Sequence, residues 1–173
     1  VQTVMQTCQC PNCDLTHADL SGFQPGKGAN SPVSCNFNQA NFSQANLSHI
    51  NFITTDVPVS SMVKKADFTR ANFSHATINN SQFSYSSFAS SNFSHADLSH
   101  SSFYACNLSS ADFSYANLSS VLSQRNNMGG FGSNFSSANF SYANLNNANL
   151  DGNFTNANFS HAKFKNTILS TSN

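Results

Sequence analysis

The chain is 173 residues long, with only 8% charged residues, a formal net charge of zero and 17 phenylalanines. So neutral a surface lacks the basic stripe that nucleic-acid binding requires, and equally the strong negative field of a duplex-DNA mimic. Ser and Asn abound, but Phe in a regular pattern speaks for a packed core rather than a disordered polar tract.

The pattern counts in fives. Large apolar residues, which we call centres, fall at Met5, Cys10, Leu15 and Leu20, then at every fifth residue from Phe37 to Met62. They resume at Phe68 and run to Leu118, then from Phe135 to Leu150 and from Phe154 to Leu169. Two before each centre stands a small residue, mostly Ala or Ser. Asn or Asp lies between them, and two polar residues follow the centre. A period of five drifts off any helical face. In extended chain the small residue and the centre point the same way, and the Asn or Asp points opposite. The polar pair must then turn the chain, so that the next unit again faces inward. Short extended pieces joined by corners around one axis make a solenoid. Its hydrogen bonds run from coil to coil and its centres stack inside.

Runs such as Ala111 to Ser120 and Ala143 to Leu150 resemble the pentapeptide-repeat family, whose signature is A-(D/N)-(L/F)-x-x. The resemblance covers nearly the whole chain. It implies an all-β fold, a right-handed quadrilateral β-helix with four pentapeptides per coil. Residues 1–173 then form a single solenoid of about seven coils, a rod roughly 35 Å long at ~4.8 Å per coil.

Two longer gaps separate Leu20 from Phe37 and Leu118 from Phe135. The expectation is that each is one side of the square carrying a loop, at residues 22–34 and 119–133. One face then holds Met5, Phe37, Val57, Ile78, Leu98, Leu118, Leu150 and Leu169. Phe42, Phe83, Phe103, Phe135 and Phe154 form a second column, and Phe52, Phe73, Phe93, Phe113 and Phe164 a third. In the third, Phe73, Phe93 and Phe113 stack in successive coils. The second loop, Asn126-Asn127-Met128-Gly129-Gly130-Phe131-Gly132, is Gly-rich, but no Lys-Ser/Thr follows it. No nucleotide or other cofactor is expected there.

Cys8, Cys10, Cys13 and Cys35 gather around the first coil, and Cys106 stands alone. The C-x-C-x2-C run has the spacing of three zinc ligands, with Cys35 as a fourth. The same cysteines also fit as small core residues in place of Ala, or as one or two disulfides of an oxidising compartment. Disulfides within Cys8, Cys10, Cys13 and Cys35 are the leading expectation, with Cys106 unpaired; the pairing itself is not legible. His17, His49, His75, His95, His100 and His161 all sit two after a centre, as do Tyr85, Tyr115 and Tyr142. His75, His95 and Tyr115 are expected along one edge, His17 and His49 along another. No carboxylate stands at a matching step, so neither a catalytic nor a metal site is expected, and no small-molecule substrate. The Asn-Phe-Ser and Asn-Leu-Ser sequons arise from the repeat itself.

The repeat continues almost to both termini, with no amphipathic helix after Leu169. Solenoid ends are open strand edges that template pairing unless capped. The expectation is head-to-tail stacking, which does not close and so makes a filament. Met5, Cys10 and Leu15 of one copy would meet Phe159, Phe164, Ile168 and Leu169 of another. A chain starting at Val1 is expected to be a processed secreted protein or a fragment, and no transmembrane segment is visible. The functional expectation is thus a secreted structural homopolymer, as in a biofilm matrix or cell-surface fibre. The alternative is a monomeric or dimeric protein-binding module. Topoisomerase protection by DNA mimicry, known in this family, conflicts with the neutral charge.

Overall fold

A computed structural model of the chain describes residues 7–24, 34–52, 66–123 and 132–171. Its elements are short strands: β1 (Cys35–Asn36), β2 (Asn51–Phe52), β3 (Ala66–Asp67), β4 (Gln82–Ser84), β5 (Ser102–Tyr104), β6 (Ser133–Asn134), β7 (Asn149–Asn153) and β8 (Ile168–Ser170). Every pairing is parallel, in the orders β1-β3, β2-β4-β5 and β6-β7-β8. Isolated bridges fill the other sides. From Asp67 to Ser102 the successive bridges are Asp67↔Ser87, Asn72↔Asn92, Thr77↔Asp97 and Gln82↔Ser102. Each coil therefore presents four sides to the next, which makes a four-sided parallel β-helix.

The five-residue unit explains each feature locally. The centre's carbonyl accepts the N–H three residues on, as in Ala45 N–H to Phe42 O at 3.0 Å and Ala96 N–H to Phe93 O at 3.0 Å. That closes a β-turn whose third residue takes positive φ, 59° at Gln44 and 59° at His95, the type II signature. The Asn or Asp before the centre braces the corner through an Asx turn, its Oδ1 accepting the N–H two residues on. Ser43 N–H to Asn41 and Ser94 N–H to Asn92 are examples, at 3.1 and 2.9 Å. Asn and His tolerate the left-handed region better than most residues, which accounts for their recurrence two after the centre.

Small residues line the inside because the chain bends there. Where Ser replaces Ala, its buried hydroxyl donates to the carbonyl of a centre in the previous coil: Ser81 to Leu47, Ser91 to Phe68 and Ser101 to Ile78. A polar group thus enters the core with its hydrogen bond made.

Stacked rings fix the columns, and here the structure corrects the expected register. Phe42 stacks on Phe73 (5.0 Å between centroids, 3° between planes), not on Phe83. Phe37 stacks on Phe68 and Phe52 on Phe83. One step, not three, therefore separates Phe52 from Phe68, and the aliphatic face expected through Phe37 does not form. Val57 and Met62 lie outside the described residues. The opposite adjustment occurs at the two gaps, each of which spans two steps. Phe23 fills a side beside Phe52 (6.1 Å, edge-on), and Asn51 N–H donates to its carbonyl. Leu122 bridges Ser102 and Asn149, placing Val121 to Ser123 on the side of Phe103. The loop bounds 22–34 and 119–133 are thus too wide: Gly22, Phe23, 119–123 and Ser133 belong to the coil. Residues 25–33 and 124–131 lie outside the description.

The physical reason is that like rings stack and Asn side chains pair between coils, and neither preference is visible in a count of fives. The columns that result are Phe37, Phe68, Phe88, Leu108, Phe135 and Phe154; Leu15, Phe42, Phe73, Phe93, Phe113, Phe140 and Phe159; and Leu20, Leu47, Ile78, Leu98, Leu118, Leu145 and Phe164. The fourth side carries Phe52, Phe83 and Phe103, then Leu150 and Leu169. Phe164 thus continues the aliphatic column and not that of Phe113. Leu150 and Leu169 leave the aliphatic one.

The missing residue before Phe154 has a local solution. Between Leu150 and Phe154 the corner is lost and β7 runs straight through, pairing Gly152 with Ser133. A Cβ on Gly152 would collide with the Ser133 carbonyl oxygen, so only glycine fits.

Candidate functional site

Three features stand apart from the repeat. The first is the cysteine set at the start. Cys8 and Cys35 occupy the same small slot in adjacent coils and form a disulfide, with Cα atoms 4.7 Å apart. Cys10 and Cys13 form another across a single corner, with Cα atoms 5.4 Å apart. Cys106 is free and buried. Burial pushes its thiol up to about 12, and its Sγ faces the carbonyls of Phe83 and Tyr104. Among the described residues no group of three or more His, Cys, Asp or Glu is arranged to hold a metal.

The second is a ladder of rings on one outer corner. His75, His95, Tyr115, Tyr142 and His161 stack face to face, with centroids 4.8, 4.9, 4.8 and 4.7 Å apart. Tyr115 and Tyr142 are 53% and 47% exposed. The ladder exists because all five residues occupy the left-handed corner slot of one column. His17 shares that corner with Gln44, whereas His49 lies on the next corner. The expected pairing of His17 with His49 is therefore corrected: they are two columns, not one.

The third is the contrast between the ends. At the first coil, Leu15 and Leu20 are 6% and 2% exposed, although residues before Thr7 lie outside the description, Met5 among them. Cys10 is half-buried. At the last coil Phe164, Ile168 and Leu169 are 43%, 57% and 41% exposed, and Phe154 and Phe159 are only partly covered. Inner centres donate their N–H to the following coil, as Phe140 does to Asn158 at 2.7 Å. Phe159 and Phe164 have no such coil among the described residues. Of the residues expected at a junction, those of the last coil thus form one apolar open face, whereas Leu15 is already covered.

Side chains on the outside continue the order. Asn46 Nδ2 donates to Asp19, Asn117 to Asp97 and Asn144 to Asn117, at 3.1, 2.9 and 3.1 Å. These amide ladders resemble those of cross-β stacks. The acids are set chiefly by hydrogen bonds within their own corners, with the ladders adding to them at Asp19 and Asp97. Burial works to raise Asp97, but hydrogen bonds from Ser99, Asn79 and Asn117 outweigh it and hold the carboxyl below its ordinary value. Thr16 does the same for Asp14, and Ser21 for Asp19. Sequence reasoning missed the ladders, although the alternation of Asn with Asp before the centres was their trace. No helix among the described residues is long and apolar enough to cross a membrane.

No curated protein matches the chain. Solved structures similar to it include HetL, a pentapeptide repeat protein involved in heterocyst differentiation regulation in the cyanobacterium Nostoc sp. Strain PCC 7120. HetL is 20% identical, covering 92% of this chain and 84% of that one, with a TM-score of 0.36. Rfr23 from the cyanobacterium Cyanothece 51142 is 17% identical over 97% and 95% of the two chains, with a TM-score of 0.35. A pentapeptide repeat protein of the Arabidopsis thaliana thylakoid lumen is 17% identical over 86% and 72%, also at 0.35. Family models match directly: "Pentapeptide repeat region" over residues 59–132 and 76–154, and "Pentapeptide repeats (8 copies)" over residues 35–56. With more than half of the chain matched and its units built as that repeat demands, the chain belongs to the pentapeptide repeat family.

Proposed function

We propose that this chain is a secreted structural protein, a right-handed solenoid of about seven coils that self-assembles head-to-tail into an extracellular filament. The observation that carries the reading is the open apolar face of Phe159, Phe164, Ile168 and Leu169. Exposed apolar area of this kind, beside an unpaired strand edge, favours contact with another chain. A second copy set on this face would cover it and continue the parallel pairing along the rim. The Cys8–Cys35 and Cys10–Cys13 disulfides support an oxidising compartment, and the neutral Ser/Asn surface lacks the net charge that keeps copies apart.

A second reading is a dimeric binding module. It draws on the burial of Leu15 and Leu20: with one apolar end among the described residues, two open faces would meet around a two-fold axis and close. Light scattering of the oxidised protein across concentration, with negative-stain microscopy, separates the readings. Fibres lengthening with concentration are expected, and Leu169→Asp should abolish them by burying an unpaired charge. A species that stops at two copies favours the second reading. A monomer at high concentration overturns self-assembly.

A further inference from the structure

One outer column runs unbroken from the first coil to the last: Asp19, Asn46, Thr77, Asp97, Asn117, Asn144 and Lys163. It begins with an anion and ends with a cation. The one acid inside the column, Asp97, is met by amides of both neighbouring coils, Asn79 and Asn117. Among the described residues Asp19 is met by a neighbouring coil from one side only, through Asn46. Lys163 is exposed, and its side chain has no partner among the described residues. Lys165, two residues on, adds a second exposed cation to that end; Asp14, one side away from Asp19, adds a second exposed anion to the other.

We infer that the last coil of one copy docks on the first coil of a second, with Lys163 seated over Asp19 so that this column continues across the junction. The inference rests on the self-assembly reading and gives it polarity and register. A one-coil step places Lys163 beside Asp19 just as Asn144 stands beside Lys163, and Asn158 comes beside Asp14. The order Asn then Asp already occurs between neighbouring coils at Asn92 and Asp112. Two open ends meeting face to face would instead bring Lys163 and Lys165 of both copies into one junction, where like charges oppose association. Because Leu15 and Leu20 are already covered, recognition at the first coil falls to the exposed rim, where Asp14 and Asp19 stand.

Two charge reversals test this in the full oxidised chain. Lys163→Asp leaves two acids facing each other at every junction; Asp19→Lys leaves two lysines. Each alone should raise the concentration needed for fibre growth at least about tenfold. Mixed in equal amounts, the two variants should recover growth, because every junction in an alternating fibre pairs Asp with Lys. The wild-type onset should also move up with salt. Thermal melts of the dilute variants check that each is folded. If Lys163→Asp impairs association while Asp19→Lys does not, the junction is not head-to-tail and the inference falls. If neither matters while wild-type fibres persist, the column does not set the register and the inference falls alone. If the wild-type protein forms no assembly, the self-assembly reading falls and takes the inference with it.

Discussion

The first and last coils are made from one unit and finish differently. The first is cross-linked, by Cys8–Cys35 to its neighbour and by Cys10–Cys13 within a corner, and its Leu15 and Leu20 are buried. The last has no cysteine, and its Phe164, Ile168 and Leu169 face outward. A repeat supplies every inner coil with two neighbours, so the middle needs nothing beyond the motif. Among the described residues the first and last coils each have a single neighbouring coil, and the first is held to its neighbour by a covalent staple.

The sharpest way to break this contrast is a set of truncations in dilute, monomeric protein. Phe93 lies between Phe73 and Phe113, at 4.8 and 4.9 Å. Phe93→Ala should cost about 3–5 kcal/mol through the cavity it leaves. Leu20→Ala should cost about 2–4 kcal/mol, because that site is closed like the interior. Leu169→Ala, at the open end, should cost under about 1 kcal/mol. Urea unfolding measures all three. Equal losses at Leu20 and Leu169 would erase the difference between the ends.

A second test removes the staples. The Cys8–Cys35 bridge closes a loop between residues 27 apart in sequence. Replacing both with Ser should cost about 3 kcal/mol, chiefly by freeing the unfolded chain. Hydrogen exchange should accelerate first in the amides of Cys10 to Leu20, with the coils around Phe113 unaffected. Uniform acceleration along the chain would mean that the end has no local stability of its own.

The smallest effect is acid. Asp14 and Asp19 at the first coil and Asp97 in the middle titrate below their ordinary value when folded. A depressed folded value means that the contribution is present above the unfolded carboxylate range, near pH 4, and is lost as pH falls through the folded value. The melting temperature should be level from pH 7 to about pH 5 and decline below about pH 4. Asp97→Asn should flatten that decline. A melting temperature that rises on acidification would contradict the hydrogen-bonded role given to these carboxylates.

How much of this was legible follows from what the motif encodes. The unit is local: small residue, Asx turn, centre and left-handed corner all declare themselves within five residues. The unbroken stretch from Phe68 to Leu118 therefore places Phe73, Phe93 and Phe113 in one column by counting alone. Register across an interruption is not local. Phe23 and Ser123 occupy sides without matching the motif, while Val57 and Met62 match the count between Phe52 and Phe68, where only one step exists. Two sides missed and two sides added leave the overall count unchanged, and Phe135 and Phe154 fall together because four steps and neither gap lie between them. His17 and His49 were paired through the same miscount. The difference in exposure between Leu15 and Leu20 at one end and Phe164 and Leu169 at the other was not legible, because all four occupy the same slot of the motif.

The four-sided repeat also restricts how such a chain can change length. From Ala66 to Ser123 the bridges return to the same side after one full coil. Excising residues 88–107 would rejoin Ser87 to Leu108 with every later residue still above its former column. Excising a single pentapeptide would instead rotate everything downstream by a quarter turn. Phe would then land on aliphatic columns and Asn ladders would break at the seam. Insertions and deletions in this molecule are therefore quantised: whole coils pass, loops at corners pass, and lone units do not. The one-residue loss before Phe154 survives only because Gly152 lets β7 run straight past the Ser133 carbonyl.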